Sequence, residues 1–320
     1  MTLPRISIVT PSFNQGKFLE ETIQSVLSQN YPDLEYFVID GGSTDNSIDI
    51  IKKYEGRLNY WVSEKDCGQS EAINKGLKRA SGEIVAWLNS DDTYLDETLN
   101  RVAALFRQNP SVDLLYGNVE NIYPDGRKKL ITSDPFKPIR FLRQVNVHQP
   151  SVFWKRKLHS TIGWLDESLY YMMDYDLWMR IFFSHECLRI NETFSRFRIH
   201  DNSKTTGNPI GLYSEYRKVL SRFFYSLNRQ DLIQKLETLT VYDNKAKIDY
   251  SVNIHFNPTE IMQMMELYIQ QCAIQEYSYC HVKNANKLFI ASMNAHNFLL
   301  TLEFLIKNNS GIRFLTSRFR

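Results

Sequence analysis

Little in this chain of 320 residues is arranged for the common nucleotide cofactors. No GxxxxGK[ST] segment occurs. The loop after the first β-branched run, Pro11-Ser12-Phe13-Asn14-Gln15-Gly16, holds a single glycine where a dinucleotide fingerprint needs three. A P-loop NTPase and a nicotinamide dehydrogenase are thereby set aside. The four cysteines, Cys67, Cys187, Cys272 and Cys280, form no CxxC pair and no metal spacing, which fits a reduced compartment. No run reaches the roughly 18 apolar residues of a membrane span. The best candidate, Leu288 to Ile306, is interrupted by Asn294, His296, Asn297 and Glu303. Met-Thr-Leu-Pro-Arg leads straight into a strand, so no leader peptide is expected. A net charge of +2 lacks the basic excess of a nucleic-acid binder. Together these absences predict a cytoplasmic, non-spanning protein.

What is present is an ordinary globular composition, 43 % hydrophobic and 23 % charged. The charge is uneven: residues 209–320 carry +4 and residues 1–208 carry −2, so metal chemistry is expected in the acidic part. The first hundred residues alternate strand and helix. Strands are predicted at Ile6–Thr10, Glu35–Asp40, Leu58–Ser63 and Glu83–Leu88, with helices at Lys17–Gln29, Asp45–Tyr54 and Gln69–Ala80 between them. Such alternation implies right-handed crossovers and a mostly parallel α/β sheet flanked by helices. Ligands then bind beyond the carboxyl ends of the strands. Those ends carry Thr10 to Asn14, Asp40, Ser63 to Asp66 and Asn89 to Asp92, all polar or acidic.

Beyond residue 110 the alternation loosens into strands at Val112–Val119 and Ser151–Trp154 around a loop at 124–129. A helix at Tyr175–Phe183 and an extended stretch at Leu188–Ile199 follow. After Gly211 only Gly311 remains among the glycines, and apolar residues recur at helical spacing. A strand-and-helix region over 1–208, changing character near residue 110, is therefore expected before a helical region over 209–320.

Asn89-Ser90-Asp91-Asp92 carries the most chemistry. Adjacent carboxylates at a strand end face different ways, so one can hold a divalent cation while its neighbour serves a hydroxyl. Oxygen ligands favour Mg²⁺ or Mn²⁺. The alternative is a solvated cap for the helix that follows.

Five stretches, in order, resemble the family 2 glycosyltransferases of GT-A fold. They are Ile8-Val9-Thr10-Pro11-Ser12-Phe13-Asn14, Val38 to Asp45, Ser63 to Gly68 with Ala72 to Gly76, Asn89 to Asp92, and Asp174 to Trp178 with Arg198-Ile199-His200. The resemblance implies an inverting transfer from a nucleotide-diphosphate sugar, with uridine the preferred nucleotide and guanosine and thymidine open. It implies that Thr10, Pro11, Ser12, Asn14 and Asn74 line or support the nucleotide pocket. Asp40 and Asp66 would contact the base, Asp91 the ribose side, and Lys204 the phosphates. Asp92 and His200 would hold the metal, and Asp174 would be the general base. Asn89 departs from the family's first acid, and Met173 precedes Asp174 where the family often has Glu. For Asp40 the alternative is a residue that braces its own turn; for Asp66 it is a cap. For His200 the alternative is a structural role, and for Asp174 the rival base is Asp176.

Neither Gln-x-x-Arg-Trp nor a membrane span occurs, so one sugar per encounter is expected, passed to a separate glycan or lipid-linked acceptor. The resemblance makes 1–208 the catalytic region, with a nucleotide-binding half to about 110 and an acceptor half from 111. Residues 120–170, including His148, Gln149 and Trp164, are the expected acceptor side, and Trp164 either stacks on a sugar face or is a core residue. Loop 201–208 is a candidate lid. The basic, aromatic tail from Phe304 to Arg320 could lie peripherally on the inner face of the plasma membrane or simply be solvated. A catalytically silent nucleotide-sugar-binding subunit is the alternative to an enzyme.

Overall fold

The computed structural model describes residues 3–143, 146–200, 209–243, 251–278 and 281–292. Loop 201–208, Lys204 within it, and the tail 304–320 lie outside the described residues.

The first strand, β1 (Ile6–Ser12), is buried along its whole length because its β-branched residues are covered on both faces. It pairs in parallel with β2 (Leu34–Asp40) on one side and β4 (Ile84–Trp87) on the other, and β2 pairs in parallel with β3 (Tyr60–Ser63). The crossovers are α1 (Gly16–Leu27), α2 (Ser47–Tyr54) and α3 (Gln69–Arg79). Gly76 lets α3 close on β1: a Cβ there would sit 2.5 Å from Val9.

Past β4 the pairing changes. After β5 (Thr93–Tyr94) and α4 (Thr98–Gln108), β6 (Leu114–Ile122) turns back on β7 (Lys128–Ile131) as an exposed hairpin. A loop is the expectation at 124–129; the outer strand is solvated and opens on two lysines, so no apolar period marks it. A short helix, α5 (Pro138–Arg143), comes next, then β8 (Val152–Lys155), α6 (His159–Ile162), α7 (Met173–Phe182) and the long β9 (Cys187–Arg198). The sheet runs β3-β2-β1-β4-β8-β6-β9-β5, with β7 on β6. β8 joins β4 and β6 antiparallel, whereas β9 runs parallel to β6 and antiparallel to β5. The first half is thus all parallel and the second half mixed.

Three tryptophans knit the halves. Trp87 of β4 stacks on Trp178 of α7 with centroids 5.5 Å apart, and Trp154 of β8 meets both edge-on. All three are fully buried, a large apolar contribution to the core.

The chain divides into two compact units, Met1–Phe136 with Asn146–Pro209, and Lys137–Val145 with Ile210–Arg320. The second holds α5 together with α8 (Pro209–Ser226), α9 (Gln230–Thr238), α10 (Pro258–Ser278) and α11 (Val282–Ser292). Within it α10 packs on α5 and α11, and Tyr216 donates to the Leu142 carbonyl at 2.7 Å. Arg217 and Glu276 pair at 2.6 Å. Among the described residues no helix is long and apolar enough to cross a membrane.

Candidate active site

A cavity of about 870 Å³ opens at the carboxyl ends of the parallel strands, entirely within the first unit. One wall comes from the loops after β1, β2 and β3, with Pro11, Ser12, Phe13, Gly41, Gly42 and Lys65 to Gln69. The opposite wall comes from His148 to Pro150, Tyr170, Tyr171, Asp174 and Phe197.

The first wall is built by loop-to-loop latches. Asn14, at φ +52°, gives its N–H to Ser43 Oγ at 2.7 Å and takes the Thr44 N–H on Oδ1 at 2.8 Å. Gly16 N–H binds Asp45 at 2.9 Å, and the Gln15 N–H reaches Ser47 Oγ at 3.2 Å. Pro11 and Ser12 line the cavity, whereas Thr10 does not. It is fully buried, sharing a hydrogen bond with the Tyr36 hydroxyl at 3.0 Å.

Asp40 does not reach the cavity either. Its oxygens accept from the Gly42 and Ser43 N–H groups at 3.1 and 2.8 Å and from the Ser43 and Ser63 hydroxyls at 2.5 and 2.7 Å, with no exposed surface left. It braces its own turn. Asn74 is buried on α3, where it exchanges hydrogen bonds with Leu165 and holds Glu167 at 2.8 Å. Asp66 does line the cavity. Oδ1 takes the Gly68 N–H at 2.9 Å, and a Cβ on Gly41 would lie 2.9 Å from Oδ2. Burial pushes its pKa up, against the lowering effect of the Gly68 N–H.

Beyond β4 the two adjacent acids part company. Asp92 is 1 % exposed, and its Oδ1 accepts the Arg198 N–H at 3.1 Å. Burial, and then the charge of Asp91, hold its pKa well above the usual carboxylate range. Thr22 pins the loop from α1 by donating to the Ser90 and Asp92 carbonyls at 2.9 and 2.8 Å. Asp91 instead faces the cavity, with Oδ2 3.0 Å from His200 Nε2. The His200 ring packs on the Phe18 ring at 4.9 Å, and the Arg198 guanidinium lies over the Phe18 ring at 4.7 Å. Asp92, the expected metal ligand, is turned inward to the β9 backbone, whereas Asp91 lines the cavity.

The Asp91–His200 pair fits a small divalent cation. One carboxylate oxygen and one imidazole nitrogen converge, and both side chains keep partial exposure. Among the described residues no third His, Cys, Asp or Glu joins them, so the remaining ligands would have to come from a bound substrate and water, as is usual for Mg²⁺.

On the opposite wall Asp174 sits in the first turn of α7, with Oδ1 accepting the Tyr175 N–H at 2.7 Å. Its rival Asp176 is 2 % exposed and bound to the Arg180 guanidinium at 2.8 Å. Arg180 also ties the Ile162 carbonyl. The His148 ring lines the cavity, its pKa lowered by burial, and Nε2 has no partner among the described residues. Trp164, expected at the acceptor side, stacks instead on His159 with centroids 4.3 Å apart, away from the cavity.

Sequence reasoning missed Phe13, Lys65, Gln69, Tyr170 and Tyr171. Phe13 and Tyr170 are 59 % and 52 % exposed, unusual for aromatics, and both are on the cavity wall. Phe13, Lys65 and Gln69 lie in or directly beside a motif and Tyr170 and Tyr171 lie within four residues of Asp174, and that proximity was the available signal.

A model of glycosyl transferase family 2 matches residues 7–159. A PGL/p-HBAD biosynthesis glycosyltransferase of Mycobacterium bovis is 31 % identical over 186 residues, which is 57 % of this chain and 71 % of that protein. In fold the chain is similar to Staphylococcus aureus TarS 1-349 in complex with UDP, with a TM-score of 0.56 and 18 % identity over 92 % of this chain and 76 % of that one. The mannosyltransferase PcManGT from Pyrobaculum calidifontis, solved with GDP-Man and Mn²⁺, is similar at a TM-score of 0.52 and 16 % identity, over 99 % of this chain and 80 % of that one. With the ordered motifs, the GT-A-type sheet and these relatives in agreement, the chain belongs to the family 2 glycosyltransferases.

Proposed function

We propose that this glycosyltransferase moves a single sugar, with inversion, from a nucleotide-diphosphate sugar to a hydroxyl of a glycan or lipid-linked acceptor. The observation that carries the reading is one cavity holding Asp174 on one wall and the Asp91–His200 pair beside the other. Uridine is the favoured nucleotide, since TarS was solved with UDP; guanosine, as in the mannosyltransferase, is the second choice. An envelope glycan pathway is the favoured setting, with the tail 304–320 as a peripheral lipid contact and Lys204 as a phosphate contact.

The donor's base would lie against Phe13 and within reach of Asp66, with Lys65 adding positive charge at the rim. Asp91 and His200 would hold a Mg²⁺ or Mn²⁺ ion, which supplies Lewis-acid stabilisation of the departing diphosphate. Asp174 takes the proton of the attacking acceptor hydroxyl. Because Arg180 occupies Asp176, Asp174 is the α7 acid turned to the cavity, and one displacement with a general base inverts the anomeric centre. Tyr170, with Tyr171 against it edge-on at 4.7 Å, offers an apolar face for the acceptor's ring.

The test is a thermal-shift screen of UDP-, GDP- and dTDP-sugars with Mn²⁺ or EDTA, on wild type and Asp91→Ala. A ligand of the native state raises Tm by mass action. One nucleotide class should stabilise wild type only with metal and fail on the variant. If no donor shifts wild type, the donor assignment falls. If a donor binds and wild type transfers no sugar to any acceptor, the chain is a silent binding subunit.

A further inference from the structure

The neutral side chain at position 89 has a more elaborate set of partners than either acid that follows it. Asn89 Oδ1 accepts from Gln69 Nε2 at 2.7 Å, and Asn89 Nδ2 donates to Gln149 Oε1 at 3.1 Å. Gln149 Nε2 donates in turn to the Trp87 carbonyl at 2.8 Å. The three amides form a directional chain. Reversing the Gln149 amide would set its oxygen against the Trp87 carbonyl and its NH₂ against that of Asn89.

An aspartate cannot replace Asn89 within this chain. An ionised carboxylate has no proton to give. It would face Gln149 Oε1 with a second acceptor, and it would lie beside Asp92 Oδ2, which is 3.5 Å from Asn89 Nδ2. Only a group that both donates and accepts satisfies Gln69 and Gln149 together.

The two ends of the clasp belong to different walls. Gln69 opens α3 directly after Lys65 to Gly68, and Gln149 starts the turn Gln149–Ser151 directly after His148. We propose that Asn89 is a positioning residue whose amide, held between Gln69 and Gln149, sets the spacing of the donor and acceptor walls of the cavity. The inference rests on the division into donor and acceptor walls proposed above. Reacting atoms must be brought to about 3–3.5 Å, and a misplacement of about 1 Å costs on the order of a hundredfold in rate. Asn89 itself lines the cavity, and by fixing both walls it can act strongly on turnover.

The test compares full-length wild type, Asn89→Asp, Asn89→Ala, Gln149→Ala and the Asn89→Asp/Gln149→Ala double variant. Steady-state transfer gives kcat, and titration calorimetry gives donor affinity. Asn89→Asp should lower kcat by about tenfold to a hundredfold, with donor Kd within about twofold of wild type. The double variant should be no slower than the slower single one, since one chain of hydrogen bonds can be broken only once. Asn89→Ala supplies the same comparison if the aspartate variant fails to fold. Wild-type kcat in Asn89→Asp, a parallel loss of donor affinity, or losses that multiply in the double variant would each overturn the proposal. Wild type that neither binds nor turns over a nucleotide sugar would instead defeat the functional reading beneath it.

Discussion

The loop after β4 and the first turn of α7 each carry two acids in near succession, and each divides them the same way. Asp91 and Asp174 face the cavity; Asp92 and Asp176 are buried on the Arg198 N–H and the Arg180 guanidinium. The same division separates His200, beside the cavity acid, from His159, enclosed between Trp154 and the Gly163 carbonyl. Tyr170 and Trp164 repeat it for aromatics. Residue type does not decide the role. What decides is whether the surrounding chain already supplies a partner, because a buried polar group left without one costs about 1–3 kcal/mol.

The comparison is broken most severely at α7. Asp174→Asn should lower kcat by about 10²–10⁴-fold while leaving Tm and donor affinity near wild type, as removal of a general base does. Equal kcat in the two proteins would remove Asp174 from the mechanism. Asp176→Ala should do the reverse in kind. It strands the Arg180 charge in the core and should cost about 3 kcal/mol of stability, read by denaturant melts.

His159 sharpens the contrast through pH. Its Nδ1–H donates to Gly163, Nε2 accepts the Trp154 N–H, and burial drives its pKa down to about 4. The unfolded chain titrates at the ordinary value of about 6.5, so it binds the proton first. The stabilisation is therefore complete above pH ~6.5 and is lost as pH falls toward ~4, by about 3 kcal/mol in all. His159→Phe should flatten that part of the stability curve; an unchanged slope would assign the acid transition elsewhere. The smallest effect is expected at the aromatics. Tyr170→Ala should raise the acceptor KM about tenfold with donor affinity unchanged, and Tyr170→Phe should restore it. Trp164→Ala should lower Tm and leave that KM alone.

The parallel half was legible because β-branched runs and amphipathic helices alternate at regular spacing from Ile6 to Trp87. β5 and β7 were not. One is two residues long, and the other is exposed and charged, so neither leaves a periodic trace. For the site, the motifs located the cavity but not the direction of each side chain. Asp40 looks the same in sequence whether it meets a base or its own turn; the donors on Gly42, Ser43 and Ser63 that claim it are a property of the folded loop. Asp91 and Asp92 were likewise inseparable until Arg198, more than a hundred residues away, supplied the N–H that draws Asp92 inward.

The excursion at Lys137–Val145 bears on how the protein is made. α5 belongs with the helices of the second unit, and its Phe141 and Leu142 are buried there. Its packing partner α10 begins at Pro258. At about 5–20 residues per second, a ribosome completes α5 several seconds or more before α10 exists. During that interval the nascent chain carries a helix whose Phe141 and Leu142 lack their partner, inserted in the middle of the first unit. Chaperone engagement with the elongating chain, and aggregation of ribosome-released fragments ending near residue 209, are where this interleaving should first be felt.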